Sequence, residues 1–268
     1  VAFYVGFKNN QSYDRSWEAR KVWGGIVNLS RSFAAATRAF ISDAPNASAE
    51  ADKEKRIIIY RHIAWLYALR HAMGQRTFWE HEDNQSRRQR KFFGKHFNFQ
   101  VFEKAVVTYL SPEEQEWIRT KQNAAAQLLD RQSQHIASLY THGLIDNFRH
   151  VELQRLITEI YGEQGRSERI KNTPLPRQYS TTSTIFILIF TFLLPFGMLS
   201  EFGEMGASLI WLLIPFNLVV SWVFTLMEYV GDYSENPFEG LINDIPLTAI
   251  IRNIEIDLLD MLGEKNLP

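Results

Sequence analysis

Residues 185–200 read IFILIFTFLLPFGMLS, and residues 205–227 read MGASLIWLLIPFNLVVSWVFTLM. Arg177 and Glu201 bracket 23 residues without Asp, Glu, Lys or Arg, and Glu204 and Glu228 bracket another 23. A helix rises about 1.5 Å per residue, so each stretch reaches roughly 34 Å, enough to cross a hydrocarbon core of about 30 Å. Each holds a mid-segment proline, Pro195 and Pro215. Proline is costly inside a soluble helix but is tolerated in membrane helices whose neighbours re-satisfy the backbone. The spacing predicts a transmembrane helical hairpin over 178–227, joined by the short linker EFGE (residues 201–204). The bland alternative is a buried hairpin in a soluble core.

Whole-chain averages conceal this. The 268 residues include 29 Lys and Arg against 30 Asp and Glu, a net charge of −1, with 46% hydrophobic residues and a mean hydropathy of −0.21. Such totals suit an ordinary soluble protein. They exclude a disordered chain and give no support to nucleic-acid binding through bulk positive charge. Yet residues 178–227 carry only Glu201 and Glu204 among 50 residues. Cysteine is absent, which removes disulfides, thiolate nucleophiles and Cys-ligated metals. The first span is approached by Arg166, Arg169, Lys171 and Arg177, whereas EFGE has no basic residue. By the positive-inside rule the linker lies outside and both flanks lie in the cytoplasm. A multi-pass protein of the cell (inner or plasma) membrane is expected, with most of the chain cytoplasmic.

The amino terminus, VAFYVGF (residues 1–7), lacks the basic start of a signal peptide and is too short to span. It runs without a break into KNNQSYDRSWEARKVWGG, and reads as the tail of a membrane helix that begins before Val1. Residues 8–177 read as helical, with no strand-like alternation. One pattern covers about 7–41, ended by Asp43-Ala44-Pro45-Asn46, and a second covers about 47–73, stopped by Gly74. Residues 74–100 read as a loop or short helices. Ser111-Pro112-Glu113-Glu114 is a helix start, with Ser as N-cap, Pro in the first turn and acids beside the helix N-terminus. That helix is expected to reach about Thr141. Another is expected over 144–161, ended by Gly162.

Candidate chemistry is sparse. Seven His include His62, His71 and His81, but no HExxH spacing occurs, and GxSxG, P-loop and GxGxxG motifs are missing. No metal site, cofactor or enzyme activity is assigned. The basic cluster Arg87, Arg88, Arg90, Lys91 and Lys95 reads most simply as a solvated loop, and more sharply as a contact for anionic headgroups.

Three stretches together resemble the bestrophin ion channels in their bacterial branch: GFKNNQSYDRSWEARKVWG (6–24), ERIKNTPLPRQYS (168–180) leading into LLP (193–195), and ENPFEGLINDIPLTAIIRNIEIDLLDML (235–262). The resemblance implies an all-α subunit of a funnel-shaped homopentamer with one central pore and a large cytoplasmic helical region, a single bestrophin-like domain over 1–268. It makes residues 1–7 the end of the pore-lining helix, 8–177 the cytoplasmic body, 178–227 the hairpin and 228–268 a cytoplasmic tail. It places Phe3 and Phe7 in a hydrophobic neck. Independently, the two lie at i and i+4 on one helix face. Five such faces would make apolar rings of the kind that gate by dewetting.

The resemblance also implies a cytoplasmic aperture in 143–156, at Phe148, with Val151 as the other choice. Arg15, Trp17, Glu18 and Trp23 carry the first motif. Arg15 and Glu18, one turn apart, are placed to pair. Asn236, Pro237 and Phe238 carry the third motif, as structural residues. The family's calcium clasp departs here: Asp244 matches, but Leu241 stands where another acid is expected, so it is a remnant and no calcium gating is expected. The expected permeant ions are small and monovalent, chloride or other anions first and Na+ or K+ as the alternative. The partners implied are further copies of the chain and the bilayer, with no nucleic acid. The rival class is a membrane-anchored helical scaffold or sensor.

Overall fold

The computed structural model describes residues 1–41, 48–93, 99–241 and 243–268, and every regular element among them is helical. The turn expected at 43–46 and Lys95 of the basic cluster lie outside the described residues. The chain divides into two compact units. One comprises Val1–Glu18 and Asn172–Pro237, the other Ala19–Lys171 and Phe238–Pro268.

Helix α1 (Ala2–Phe40) is continuous and contributes to both units. In the first unit it is joined by α8 (Arg177–Glu204) and α9 (Leu213–Tyr233), which pack on each other as a hairpin. Two stretches, Gln178–Glu204 and Ser208–Tyr233, are long and apolar enough to cross a membrane. Their most apolar windows are only 6% and 0% buried within the chain. A soluble core helix hides its apolar face, so this exposure argues against the buried-hairpin alternative.

The hairpin is built differently from its sequence reading. The EFGE segment is not a linker but the last turn of α8. The reversal falls at Met205-Gly206, where Gly206 takes φ 116°, a backbone conformation that a Cβ would strain. A 3₁₀ turn (Ala207–Leu212) follows, so Pro215 sits in the first turn of α9 rather than in mid-helix. There its missing N–H has no helical partner to lose. Pro195 alone remains inside a helix.

The second unit is centred on α2 (Ser48–Gly74), with Ile58, Ile59, Ile63, Leu66 and Leu69 all inaccessible to solvent. It packs against α4 (Phe99–Tyr109), α6 (Ala124–Thr141) and α10 (Leu247–Met261). A buried polar link ties α2 outward. Arg61 donates to Glu114 Oε1 and Gln132 Oε1, each at 2.8 Å, and Trp65 Nε1 donates to Gln164 Oε1 at 2.8 Å. Between them α3 (Asn84–Phe93) is a short basic helix within the stretch read as loop or short helices.

Two helix ends differ from expectation. The helix starting at Ser111 stops early: α5 (Pro112–Arg119) carries the expected capping box, and α6 restarts behind Asn123, whose side chain accepts from Ala126 N–H at 3.0 Å. Gly162 does not end α7 (Asn147–Asn172). An internal Gly costs about 1 kcal/mol, but Ile157, Ile160, Gln164, Ser167 and Ile170 carry one buried stripe across it, and burial outweighs propensity.

Candidate functional site

In the first unit α1 has two opposed faces. Phe3, Phe7, Asn10, Asp14 and Trp17 recur at alternating four- and three-residue steps, and all are exposed. Phe3 is 81% and Phe7 45% accessible. Phe7 lies against Tyr179 at 6.1 Å between ring centroids, and Phe3 meets Tyr4 edge-on at 6.2 Å. The two sequence-predicted neck residues thus share one outward stripe. The structure adds Asn10 and Asp14 one and two turns further along it.

The opposite face is anchored by charge. Lys8 is 4% exposed, and its Nζ donates to Glu228 Oε1 at 2.7 Å and Asp232 Oδ1 at 3.0 Å. Glu228 also accepts from Ser183 Oγ at 2.7 Å and Thr184 Oγ1 at 2.9 Å, and Ser180 Oγ donates to Asp232 at 3.3 Å. Charges at a helix end inside an apolar bundle are tolerated when paired and hydrogen-bonded in this way. Sequence reading missed the cluster, treating Glu228 only as a flank of its span. The available signal was the register of α1: Val5, Lys8 and Ser12 lie opposite Phe3 and Phe7.

One turn beyond, Arg15 donates through Nε to the Glu235 carbonyl at 3.0 Å and through Nη1 to the Thr173 carbonyl at 2.8 Å. Burial draws its guanidinium below the usual value, while the Glu235 and Glu18 carboxylates pull it up. Arg15 therefore fastens α1 to the segments entering α8 and leaving α9. Glu18 contributes charge nearby. Ser16 Oγ donates to the Ser234 carbonyl at 2.9 Å, and Leu175 N–H donates to Glu235 Oε1 at 3.0 Å. Burial pushes the Glu235 carboxyl up, against the Leu175 N–H that holds it down. Trp17, by contrast, is exposed and stacks on Tyr13 at 6.5 Å. Asn236 and Pro237, which close this unit, are buried.

In the second unit Trp23 is fully buried, its Nε1 donating to Ser167 Oγ at 3.2 Å, and Phe238 is core as well. Asp244 Oδ2 accepts from the N–H groups of Gly240 and Leu241 at 2.7 and 3.1 Å, so the matched acid closes its own turn. Burial pushes its carboxyl up to about 7. The aperture candidates fall in the first turns of α7. There Asp146 Oδ1 accepts from Arg149 N–H at 2.9 Å, and Arg149 Nη1 donates to the Phe40 carbonyl at 3.0 Å. Phe148 is 86% and Val151 60% accessible, three residues apart on one face.

Residues 1–260 match the family model described as Bacterial/Fungal Bestrophin protein. A voltage-dependent anion channel-forming protein of Ralstonia nicotianae is 27% identical over 267 residues, covering 100% of this chain and 76% of that protein. The voltage-dependent anion channel-forming protein YneE of Escherichia coli K12 is 26% identical over 268 residues, covering 100% of this chain and 75% of its own length. Among solved structures, a bacterial bestrophin homolog from Klebsiella pneumoniae superposes with a TM-score of 0.79 at 22% identity, over 99% of this chain and 84% of that one. At that identity the likeness speaks for the fold.

Proposed function

Because the chain belongs to the bacterial/fungal bestrophin family, we propose that it is a membrane channel rather than an enzyme, conducting small monovalent anions, chloride first, passively through a homopentamer. The observation that carries the reading is the α1 stripe. Two large aromatic side chains, Phe3 and Phe7, face outward from the helix while its other side is pinned through Lys8 and Arg15. A soluble protein gains by hiding such rings, since burying one is worth about 1.5–3 kcal/mol. Around a five-fold axis the same stripes would close two apolar rings, a constriction that gates by wetting and coordinates no ion. Phe148, or Val151, is the proposed aperture at the cytoplasmic end, with Arg15, Trp17, Glu18, Trp23 and Asn236 to Phe238 as structural support. The names of the Ralstonia and Escherichia relatives support an anion as the permeant species.

A second reading, selectivity for Na+ or K+, is favoured by one residue. Asp14 continues the Phe3–Phe7 stripe and is exposed. Repeated around an axis it would place a carboxylate ring next to the neck, the arrangement that favours cations. Planar-bilayer recording under a KCl gradient decides between them. The anion reading requires a reversal potential on the chloride side of zero. A reversal on the potassium side that moves toward zero in Asp14→Asn establishes the second reading. A full-length protein that yields no conductance and is not pentameric in detergent refutes both.

A further inference from the structure

The basic cluster and an exposed ring beside it are left unused by conduction. Thr77–Glu80 is a turn closed by the Glu80 N–H donating to the Thr77 carbonyl at 3.3 Å, with Thr77 Oγ1 donating to Glu80 Oε1 at 3.2 Å. Phe78 and Trp79 form its tip, ring against ring at 4.6 Å, and Phe78 is 91% accessible. The turn is tethered at its C-terminal end. Glu80 is buried and pairs with Lys171, and His81 Nδ1 lies 3.0 Å from Glu239 Oε2. Behind it, Asp83 Oδ1 accepts from Ser86 N–H at 2.6 Å and starts α3. Ser86 is buried, whereas Arg87, Arg88 and Lys91 are exposed and project from the other side of the helix. Helix α3 contains no acidic residue, and the nearby Glu82 is paired with Arg76 at 3.0 Å.

We propose that Phe78 and the exposed Arg87, Arg88 and Lys91 form an interfacial anchor that docks on an anionic phospholipid surface. The tethers indicate which surface is within reach. Lys171 precedes the first candidate span, which begins at Gln178, by seven residues, and Glu239 follows the second, which ends at Tyr233, by six. Seven extended residues cover at most about 25 Å. One aromatic side chain beside a basic helix fits the chemistry of a membrane interface, where the ring enters the headgroup boundary and the cations meet lipid phosphates. A protein partner needs about 800 Å² on each side, and a single projecting Phe does not supply that. The proposal requires the hairpin to lie in a bilayer and does not require the chain to conduct.

The test uses the whole protein, with no cysteine among these 268 residues. Asn84→Cys, exposed at the start of α3, is labelled with a small fluorophore, and Thr141→Cys serves as the water-facing reference. Each is placed in nanodiscs of phosphatidylcholine alone or with about 30% phosphatidylglycerol and quenched by aqueous iodide or by headgroup-proximal spin-labelled lipid. Each basic residue near an anionic surface is worth roughly fivefold. The label at 84 should lose most of its iodide quenching in anionic discs and gain lipid quenching, while the label at 141 keeps its iodide quenching. Both Phe78→Ser and the triple variant Arg87→Gln/Arg88→Gln/Lys91→Gln should restore the neutral-disc values, as should about 0.5 M salt through screening. Equal iodide quenching at 84 in detergent, neutral and anionic discs would overturn the proposal. So would protection that survives the triple variant, or protection already complete in detergent, the signature of a protein contact. Conductance plays no part in the readout, so failure of the channel reading leaves this result interpretable.

Discussion

Lys8 brings one ammonium between two carboxylates, of which Glu228 is largely buried and Asp232 about a third exposed. Removing the cation takes the counter-ion from the largely buried Glu228 carboxylate, which typically costs about 3–5 kcal/mol at a buried pair. Lys8→Met should therefore lower the thermal midpoint of the detergent-solubilised protein sharply, and Lys8→Met/Glu228→Gln should recover part of the loss. The comparison is Lys21→Met on exposed surface. A Lys8 variant no less stable than the Lys21 variant would deny the cluster an anchoring role. Asp244 gives a prediction of pH. Its folded-state carboxyl lies near 7 against an ordinary 3.8, so the folded chain holds a proton that the unfolded chain releases. The stability it contributes is complete below about 3.8 and is lost as pH rises through about 7. Asn at 244 keeps an acceptor for Gly240 and Leu241 without the charge. Thermal midpoints of Asp244→Asn and the parent should be close at pH 4 and diverge by pH 8 in favour of the variant; parallel pH profiles would contradict this.

At the scale of elements, the most demanding contact is between α1 and α9. A Cβ built on Gly231 would collide with Asn9 Oδ1 and stand 3.3 Å from Asn9 Cγ and 3.5 Å from Lys8 Cγ, so α9 meets α1 where an added methyl must displace the Asn9 side chain. Gly231→Ala should destabilise by about 1–3 kcal/mol through overpacking, and Gly231→Val more. Asn9→Ala should relieve part of the Gly231→Ala loss, because the crowding atom is the end of a short side chain. Denaturation midpoints of the two single variants and the double variant test this, and strict additivity would show that the two residues do not meet. Most elements were legible in the sequence because their signals are local: the charge-free runs of α8 and α9, the Ser111 capping box, the long period of α1. The misread ends differ in cause. EFGE looks like a linker because it is polar, and Gly162 looks like a stop because Gly breaks helices. Gly162 was overruled by the buried stripe of α7, which depends on tertiary packing, whereas EFGE continues α8 because the reversal waits for the positive φ of Gly206. The Lys8 cluster was hidden because 220 residues separate its two ends, and no local pattern joins them.

For the whole molecule, conduction turns on whether the stripe carrying Phe3 and Phe7 faces lipid, other helices or a shared axis. A lipid-facing Phe is replaceable by any apolar side chain with little effect on ion flow. A Phe in a ring of identical copies sets both the width of the constriction and its readiness to dewet. Phe7→Ala in five copies would remove five rings at one level, so conductance or open time should rise in planar bilayers. Phe7→Leu should stay near the parent, and Phe3→Ala should act in the same direction one turn away. Ion preference should barely change in these variants, since an apolar ring offers no charge, whereas Asp14→Asn should shift the reversal potential with little change in open time. That separation of width from charge along a single helix face is what a pore-lining stripe requires. If Phe3→Ala and Phe7→Ala both leave conductance and gating at parent levels, α1 does not line the conduction path. The exposed rings would then belong to a lipid or subunit contact, and the path would have to be sought along another helix.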